Sequence, residues 1–159
     1  MSARRFRAAR PDAPDARRLL EDYFAERTGS FPIELGRYRA VLPAGEAFVD
    51  GVFLVLDADG EPRGCAGIRR LEVTPPAVRY EVKHLWVRPE ARGGGHGRAL
   101  LEELERRARE LGATELVLDT NRVLEAAGAL YARLGYARIE PYNDNPNATD
   151  WYRKDLGAR

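Results

Sequence analysis

The chain has 159 residues, 44% of them hydrophobic and 32% charged, with a formal net charge of +1; this length suits one core of ordinary domain size and not two, so residues 1–159 are expected to form a single domain. The two signs of charge are interspersed, which removes the basic face of a nucleic-acid binder. The only cysteine, Cys65, excludes an intrachain disulfide, and with just two histidines no zinc constellation exists at a usual spacing, so no metal is expected.

The first ten residues are basic but lack the apolar segment of a secretory leader, and no run approaches bilayer-spanning length, which predicts a soluble, cytoplasmic chain with no membrane partner. Phe6 and Ala8 alternate with arginines in a short strand. Asp12 or Asp15 is placed to cap a helix carrying Ala16, Leu19, Leu20, Tyr23 and Phe24 on one face. From Gly29 to Glu46, Pro32, Gly36, Pro43 and Gly45 break any period and predict a loop or short helix over an opening. Residues 52–56 and 63–71 predict a hairpin turned by Asp57-Ala58-Asp59-Gly60.

Pro75-Pro76 interrupts the chain before a strand at 78–87, where the apolar alternation slips once. Val78, Tyr80 and Val82 share one parity, Leu85 and Val87 the other. One reading is a β-bulge near Lys83-His84, which bends the strand and frees backbone groups for a ligand. The other is burial of Trp86 and its neighbours on both faces. Residues 96–111 predict a helix with a stripe of Leu100, Leu101, Leu104, Ala108 and Leu111, and with i,i+4 pairs Glu102–Arg106, Glu103–Arg107 and Glu105–Arg109. Gly112 stops it. A strand at 115–119, a helix at 124–134 stopped by Gly135, and strands at 137–139 and 151–154 complete an α/β arrangement with at least one parallel crossover.

The turn between residues 87 and 98, Val87-Arg88-Pro89-Glu90-Ala91-Arg92-Gly93-Gly94-Gly95-His96-Gly97-Arg98, joins a strand to this long helix. A helix start leaves about four N–H groups without intrahelical partners and carries a partial positive charge, so it suits a phosphate. Glycines at 93, 94, 95 and 97 remove side chains that would hold a ligand off the main chain, and Arg92 and Arg98 add positive charge. A Walker loop needs Gly-Lys before Ser or Thr, and this turn ends Gly97-Arg98-Ala99; a dinucleotide fingerprint from Gly93 needs glycine where Arg98 stands. Arg92, Gly95 and Gly97 form Arg-x-x-Gly-x-Gly, which resembles the acetyl-CoA-binding signature of the GNAT superfamily of N-acetyltransferases.

The resemblance runs from about Gly64 to Leu156 and includes Glu81 to Val87, the Arg92–Gly97 signature and Leu130-Tyr131-Ala132-Arg133-Leu134-Gly135-Tyr136. It implies an α/β, α+β mixed-sheet fold of acyl-CoA N-acyltransferase type, with two central parallel strands splayed apart and flanked by helices. It further implies acetyl-CoA as co-substrate, held by Leu85, Trp86 and Val87, by Arg92, Gly93, Gly94, Gly95, His96, Gly97 and Arg98, and by Tyr131. Many members carry Asn seven residues before the helix tyrosine. This chain has Leu124 there, and the contact is assigned to Asn121 nearby.

Such chemistry needs a neutral amine. A lysine-like amine with a pKa near 10.4 gives up its proton at neutral pH at a cost on the order of 4 kcal/mol, so a base is required. Glu81 occupies the position where related sequences carry a glutamate, acting directly or through water; the competing reading is a solvated carboxylate paired with Arg79 or Lys83. Tyr131 matches the tyrosine placed near the coenzyme sulfur and is assigned as general acid, against the alternative of a packing tyrosine. His84 is a lesser candidate, and His96 is expected to contribute its N–H rather than its ring. Cys65 reads as a buried small hydrophobe, and serine only at Ser2 and Ser30 argues against a serine-triad hydrolase. Asp144 and Asp150, with Asn143, Asn145 and Asn147, read either as a receptor for a cationic amine or as solvated turn chemistry.

The expected function is therefore acetyl transfer from acetyl-CoA to a primary amine of a small molecule or peptide, without metal or covalent acyl-enzyme, by a monomer or homodimer. Two other classes stand beside it: a non-catalytic acyl-CoA sensor on the same fold, and a magnesium-dependent phosphotransferase, for which no motif supplies the metal ligands.

Overall fold

The computed structural model describes residues 3–157. In chain order they form β1 (Arg4–Ala8), α1 (Pro14–Ser30), β2 (Val52–Ala58), β3 (Glu61–Leu71), β4 (Arg79–Val87), α2 (His96–Glu110), β5 (Glu115–Thr120), α3 (Glu125–Arg133), β6 (Ala137–Ile139) and β7 (Asp150–Asp155). The strands make one mixed sheet in the order β1-β2-β3-β4-β5-β7-β6. Neighbours run antiparallel except β4 and β5, the parallel pair bridged by α2, because a connection between parallel strands must cross back over the sheet. Among the described residues no helix is long and apolar enough to cross a membrane.

Each face of the sheet carries its own core. On one side, Leu54, Leu56, Ile68, Tyr80, Val82, Leu116 and Leu118 meet Leu100, Leu101, Leu104 and Ala108 of α2, together with Tyr131 of α3. On the other, Phe53, Val55, Cys65 and Trp86 meet Ala16, Leu19 and Leu20 of α1. Each fully buried leucine stabilises the assembly by about 1.5–3 kcal/mol. The β2–β3 turn is tighter than the sequence predicts: Asp59 and Gly60, with φ of 53° and 80°, turn the chain with both central residues left-handed, as a two-residue hairpin loop requires.

Four local expectations are corrected. The α1 N-cap is Ala13, with no side-chain cap and Pro14 in the first turn; Asp15 instead accepts the Ala16 N–H and pairs with Arg7. Leu111 leaves the apolar stripe and is 44% exposed. Glu105 turns inward rather than toward Arg109, accepting the Tyr136 hydroxyl and Lys154 Nζ, each at 2.9 Å. Glu103 does pair with Arg107 at 2.7 Å, while Glu102 faces Arg98 rather than Arg106.

Candidate active site

The slip in strand periodicity is a bulge. Gly67 faces Lys83 and Cys65 faces Trp86, so Ala66 of β3 stands against both His84 and Leu85 of β4. His84 takes a left-handed φ of 59°, and alternation then resumes with the opposite parity. Tyr80 and Val82 before the bulge and Leu85 and Val87 after it all pack toward α2, whereas Trp86 joins the α1 core. Both readings therefore hold: an inserted residue keeps the α2-facing apolar side continuous, and Trp86 is buried on the opposite face.

That bend lies where β4 and β5 part. Their ladder runs from Arg79–Glu115 to Glu81–Val117 and stops. Beyond it each strand is held by its outer neighbour, β3 or β7. The gap opens into a cleft of about 750 Å³, lined by Lys83, His84, Leu85, Leu118, Asp119 and Asn121 from the strands and their ends, and by Leu124, Ala127 and Tyr131 from the α3 side. Tyr23, Phe24 and Arg27 of α1 and the 31–48 segment close its other side. Of the Leu85–Val87 trio, Leu85 lines the cleft. The Trp86 indole turns away to donate to Glu26 Oε1 at 3.2 Å, and the Val87 carbonyl accepts Arg92 Nε at 3.0 Å.

The glycine turn sits at the end of β4. Gly93 and Gly95 adopt φ of 87° and 80°, conformations that disfavour any Cβ. Gly95 is the α2 N-cap and no side chain caps the helix, so the N–H groups of Gly95, His96, Gly97 and Arg98 have no acceptor among the described residues. A Cβ built at Gly93 meets nothing within 4 Å, so the outer side of the turn is open; one at Gly94 meets the His96 ring, and one at Gly97 meets Leu130. The His96 ring is buried and accepts Arg4 Nε at 2.9 Å, while Arg4 Nη2 donates to the Gly94 carbonyl. Burial, with Arg4 beside it, lowers its pKa. The ring is therefore a brace for the turn. Arg92 and Arg98 are ion-paired, with Glu26 at 2.7 Å and Glu102 at 3.2 Å.

Glu81 is buried, 1% exposed, on the α1 side of the sheet. It is bound by Arg69 Nε at 2.9 Å, the Tyr142 hydroxyl at 2.7 Å, Asn143 Nδ2 at 3.5 Å and Lys83 Nζ at 3.5 Å. Arg79 pairs with Glu115 instead. The network reaches the cleft through Lys83, 3.4 Å from Asp119, and through Asn143, whose amide donates to Asp119 at 2.8 Å. Asp119 lines the cleft and Glu81 does not. Burial first, then the adjacent Glu81, raises the Tyr142 pKa, so this phenol keeps its proton.

Tyr131 is buried and packs against Tyr136 and Tyr152, yet among the described residues its hydroxyl has no hydrogen-bond partner and it borders the cleft. Burial raises its pKa, so it is a neutral donor. Asn121 braces the start of α3, accepting the Val123 N–H and donating to the Asn147 carbonyl; each end of its amide keeps capacity for one more bond. His84 lies among Tyr23, Phe24 and Phe48, its pKa pressed down to about 3, first by burial. Cys65 is buried, its thiol pushed up to about 12 by desolvation. Asp150 is drawn off into a pair with Arg138 at 2.7 Å, and Asn143, Asn145 and Asn147 rather than Asp144 line the cleft. Sequence reasoning passed over Arg69, Asp119 and Tyr142. Asp119 alone had a local signal, an acidic residue directly after the apolar run Leu116-Val117-Leu118.

The family model described as Acetyltransferase (GNAT) family matches residues 15–136. An IAA acetyltransferase of Azospirillum brasilense is 38% identical over 90 residues, 57% of this chain and 57% of that relative, so the match covers little more than half of the relative's length. A GNAT-family acetyltransferase from Staphylococcus aureus superposes with a TM-score of 0.77 at 16% identity, over 98% of this chain and all of the other. One from Elizabethkingia anophelis, with acetyl-CoA bound, superposes at 0.64 and 15% identity over 94% and 95% of the two chains. These two likenesses concern the fold, which is the one built above, and the family match spans its central elements from α1 to Tyr136: the chain belongs to the GNAT family of acetyltransferases.

Proposed function

We propose that the chain is an acetyl-CoA-dependent N-acetyltransferase that acetylates a primary amine of a small molecule or peptide by direct attack in a ternary complex. One observation carries this reading: the parallel strands part at the bulge, and the open N–H groups of Gly95 to Arg98 lie at the end of the same strand. Those N–H groups suit a diphosphate. The unpaired inner edge of β4 from His84 to Val87 suits an amide-bearing arm, and Asn121 adds an amide beside it. Bound there, acetyl-CoA supplies an activated thioester.

The chain's own residues manage protons. Glu81 lies behind the cleft wall and takes the amine proton through water, and Tyr131 gives its phenolic proton to the departing sulfur. A non-catalytic binding module is the second reading, favoured by the four donors already on Glu81. Release of free thiol from acetyl-CoA, followed across a panel of amino acids, polyamines, aminoglycosides and peptides, separates the two. A transferase releases thiol with at least one class of amine; a module binds the coenzyme and releases none.

A further inference from the structure

We infer that the acceptor is an amine that also carries a carboxylate, which binds to Arg27 and Arg39 on the cleft wall. The inference rests on the transferase reading above and names its substrate class. Apart from the tyrosines Tyr23, Tyr38 and Tyr131, the ionisable side chains on the cleft wall are Arg27, Arg39, Arg69, Lys83, Asp119 and His84. His84 stays neutral at physiological pH. Two of the cations are balanced: Lys83 lies 3.5 Å from Glu81 and 3.4 Å from Asp119, and Arg69 lies 2.9 Å from Glu81.

The other two are not. Arg27 stands 3.3 Å from Glu26, but the same Glu26 oxygen also receives Arg92 at 2.7 Å and the Trp86 indole, so one carboxylate faces two guanidinium groups. Arg39 has no ion pair among the described residues. Its main chain is nevertheless anchored, since Asn147 accepts its N–H and donates to its carbonyl, both at 2.9 Å. Arg27 lies over the Tyr23 ring at 5.1 Å, its side chain only 17% exposed. Partial burial of an under-neutralised guanidinium is costly unless a ligand completes it, and an arginine fork matches a carboxylate in two hydrogen bonds.

Arg27 shares the Glu26 oxygen with Arg92 of the glycine turn, so the coenzyme's diphosphate is the competing source of its counter-charge. Arg39 is tied instead, through Asn147, to Asn121 just past β5, and none of Gly93 to Arg98 lines this cleft. A zwitterion suits a wall of this composition, with its ammonium toward Asp119 and its carboxylate toward the arginines. A polycation meets four basic side chains there against one carboxylate.

The test compares thiol release for matched acceptors, each amino acid beside its carboxamide and its decarboxylated amine. The acids are expected to show kcat/KM about tenfold higher or more. Arg39→Gln, a change at an exposed side chain, is expected to raise the acceptor KM about tenfold, to erode the preference for acid over amide, and to leave the acetyl-CoA KM and the melting temperature unchanged. Equal or faster turnover of acceptors lacking the acid overturns the inference and leaves the transferase reading standing. So does an Arg39→Gln effect confined to the acetyl-CoA KM, which assigns the arginine to coenzyme phosphate. Absence of thiol release with every acceptor, while coenzyme A still binds, overturns both readings.

Discussion

A phenol serves as an acid only while it holds its proton, and Tyr131 is placed to hold it. Burial disfavours the phenolate, so the pKa lies above the usual tyrosine value, and the neutral hydroxyl faces the cleft with its hydrogen-bonding capacity unused. Removing that hydroxyl leaves the ring packing on Tyr136 and Tyr152 intact. Tyr131→Phe should therefore lower kcat by about 10²- to 10⁴-fold with little change in the KM for acetyl-CoA, and a variant with wild-type kcat would return Tyr131 to a packing role. Glu81 presents the opposite case, a carboxylate already crowded with donors. Glu81→Gln removes the charge partner of Arg69 and Lys83 and brings an amide N–H₂ beside these two donor-only cations, which costs about 3 kcal/mol or more in stability. The informative measurement is thus kcat at a temperature where the variant is folded by circular dichroism. Proton transfer through Glu81 predicts a further loss of kcat there, and unchanged turnover would move the base to Asp119, which does line the cleft.

At the scale of elements, regular periods were readable and long-range pairings were not. The α2 stripe, the slip in β4 and the glycine turn each write their geometry into neighbouring residues, and the helix, the bulge and the αL glycines follow. Glu105 defeats the same reasoning because its partners lie 31 and 49 positions away, so its inward turn has no local mark. Glu81 pairs with Arg69 rather than Arg79 for a related reason: strand register sets Arg69 across from Glu81 and Glu115 across from Arg79. Register also makes the bulge testable. Deleting His84 leaves Gly67 facing Lys83 and Cys65 facing Trp86, with Ala66 now opposite Leu85 in a regular ladder and every downstream side chain still on its own face. The bend disappears, β4 continues alongside β5, and the cleft narrows. Coenzyme A binding by calorimetry should weaken beyond detection, while the protein still folds cooperatively, less stable by roughly 1 kcal/mol or more for the lost ring contacts of His84. Wild-type affinity in the deletion would separate the cleft from the bulge.

Across the whole molecule, charge is matched by many partly buried pairs, and the consequence appears in the dependence of stability on pH. Only His84 and His96 carry side chains whose ordinary pKa falls between pH 5 and 8. Both are lowered in the fold, His84 to about 3 through burial and then Lys83, His96 through burial and then Arg4. A lowered pKa means that the unfolded chain binds the proton first, so acidification below about 6.5 favours unfolding. The contribution of His84 is fully present above pH 6.5 and declines steadily toward pH 3. Carboxylates enter later: Glu103 is held below the usual range by Arg106, and in Asp15 and Glu26 the effect of burial is outweighed by Arg7 and Arg92, so their losses begin below about pH 4.5. Between pH 6.5 and 5 the histidines act alone. Urea denaturation across that window should show stability falling by roughly 2 kcal/mol on account of His84. His84→Asn keeps a residue that tolerates the left-handed φ and removes the titration, so its stability should change less by about that amount, leaving only the slope due to His96. A wild-type stability that stays level from pH 6.5 to 5 would mean that the imidazole at the bulge is accessible to protons in the folded state.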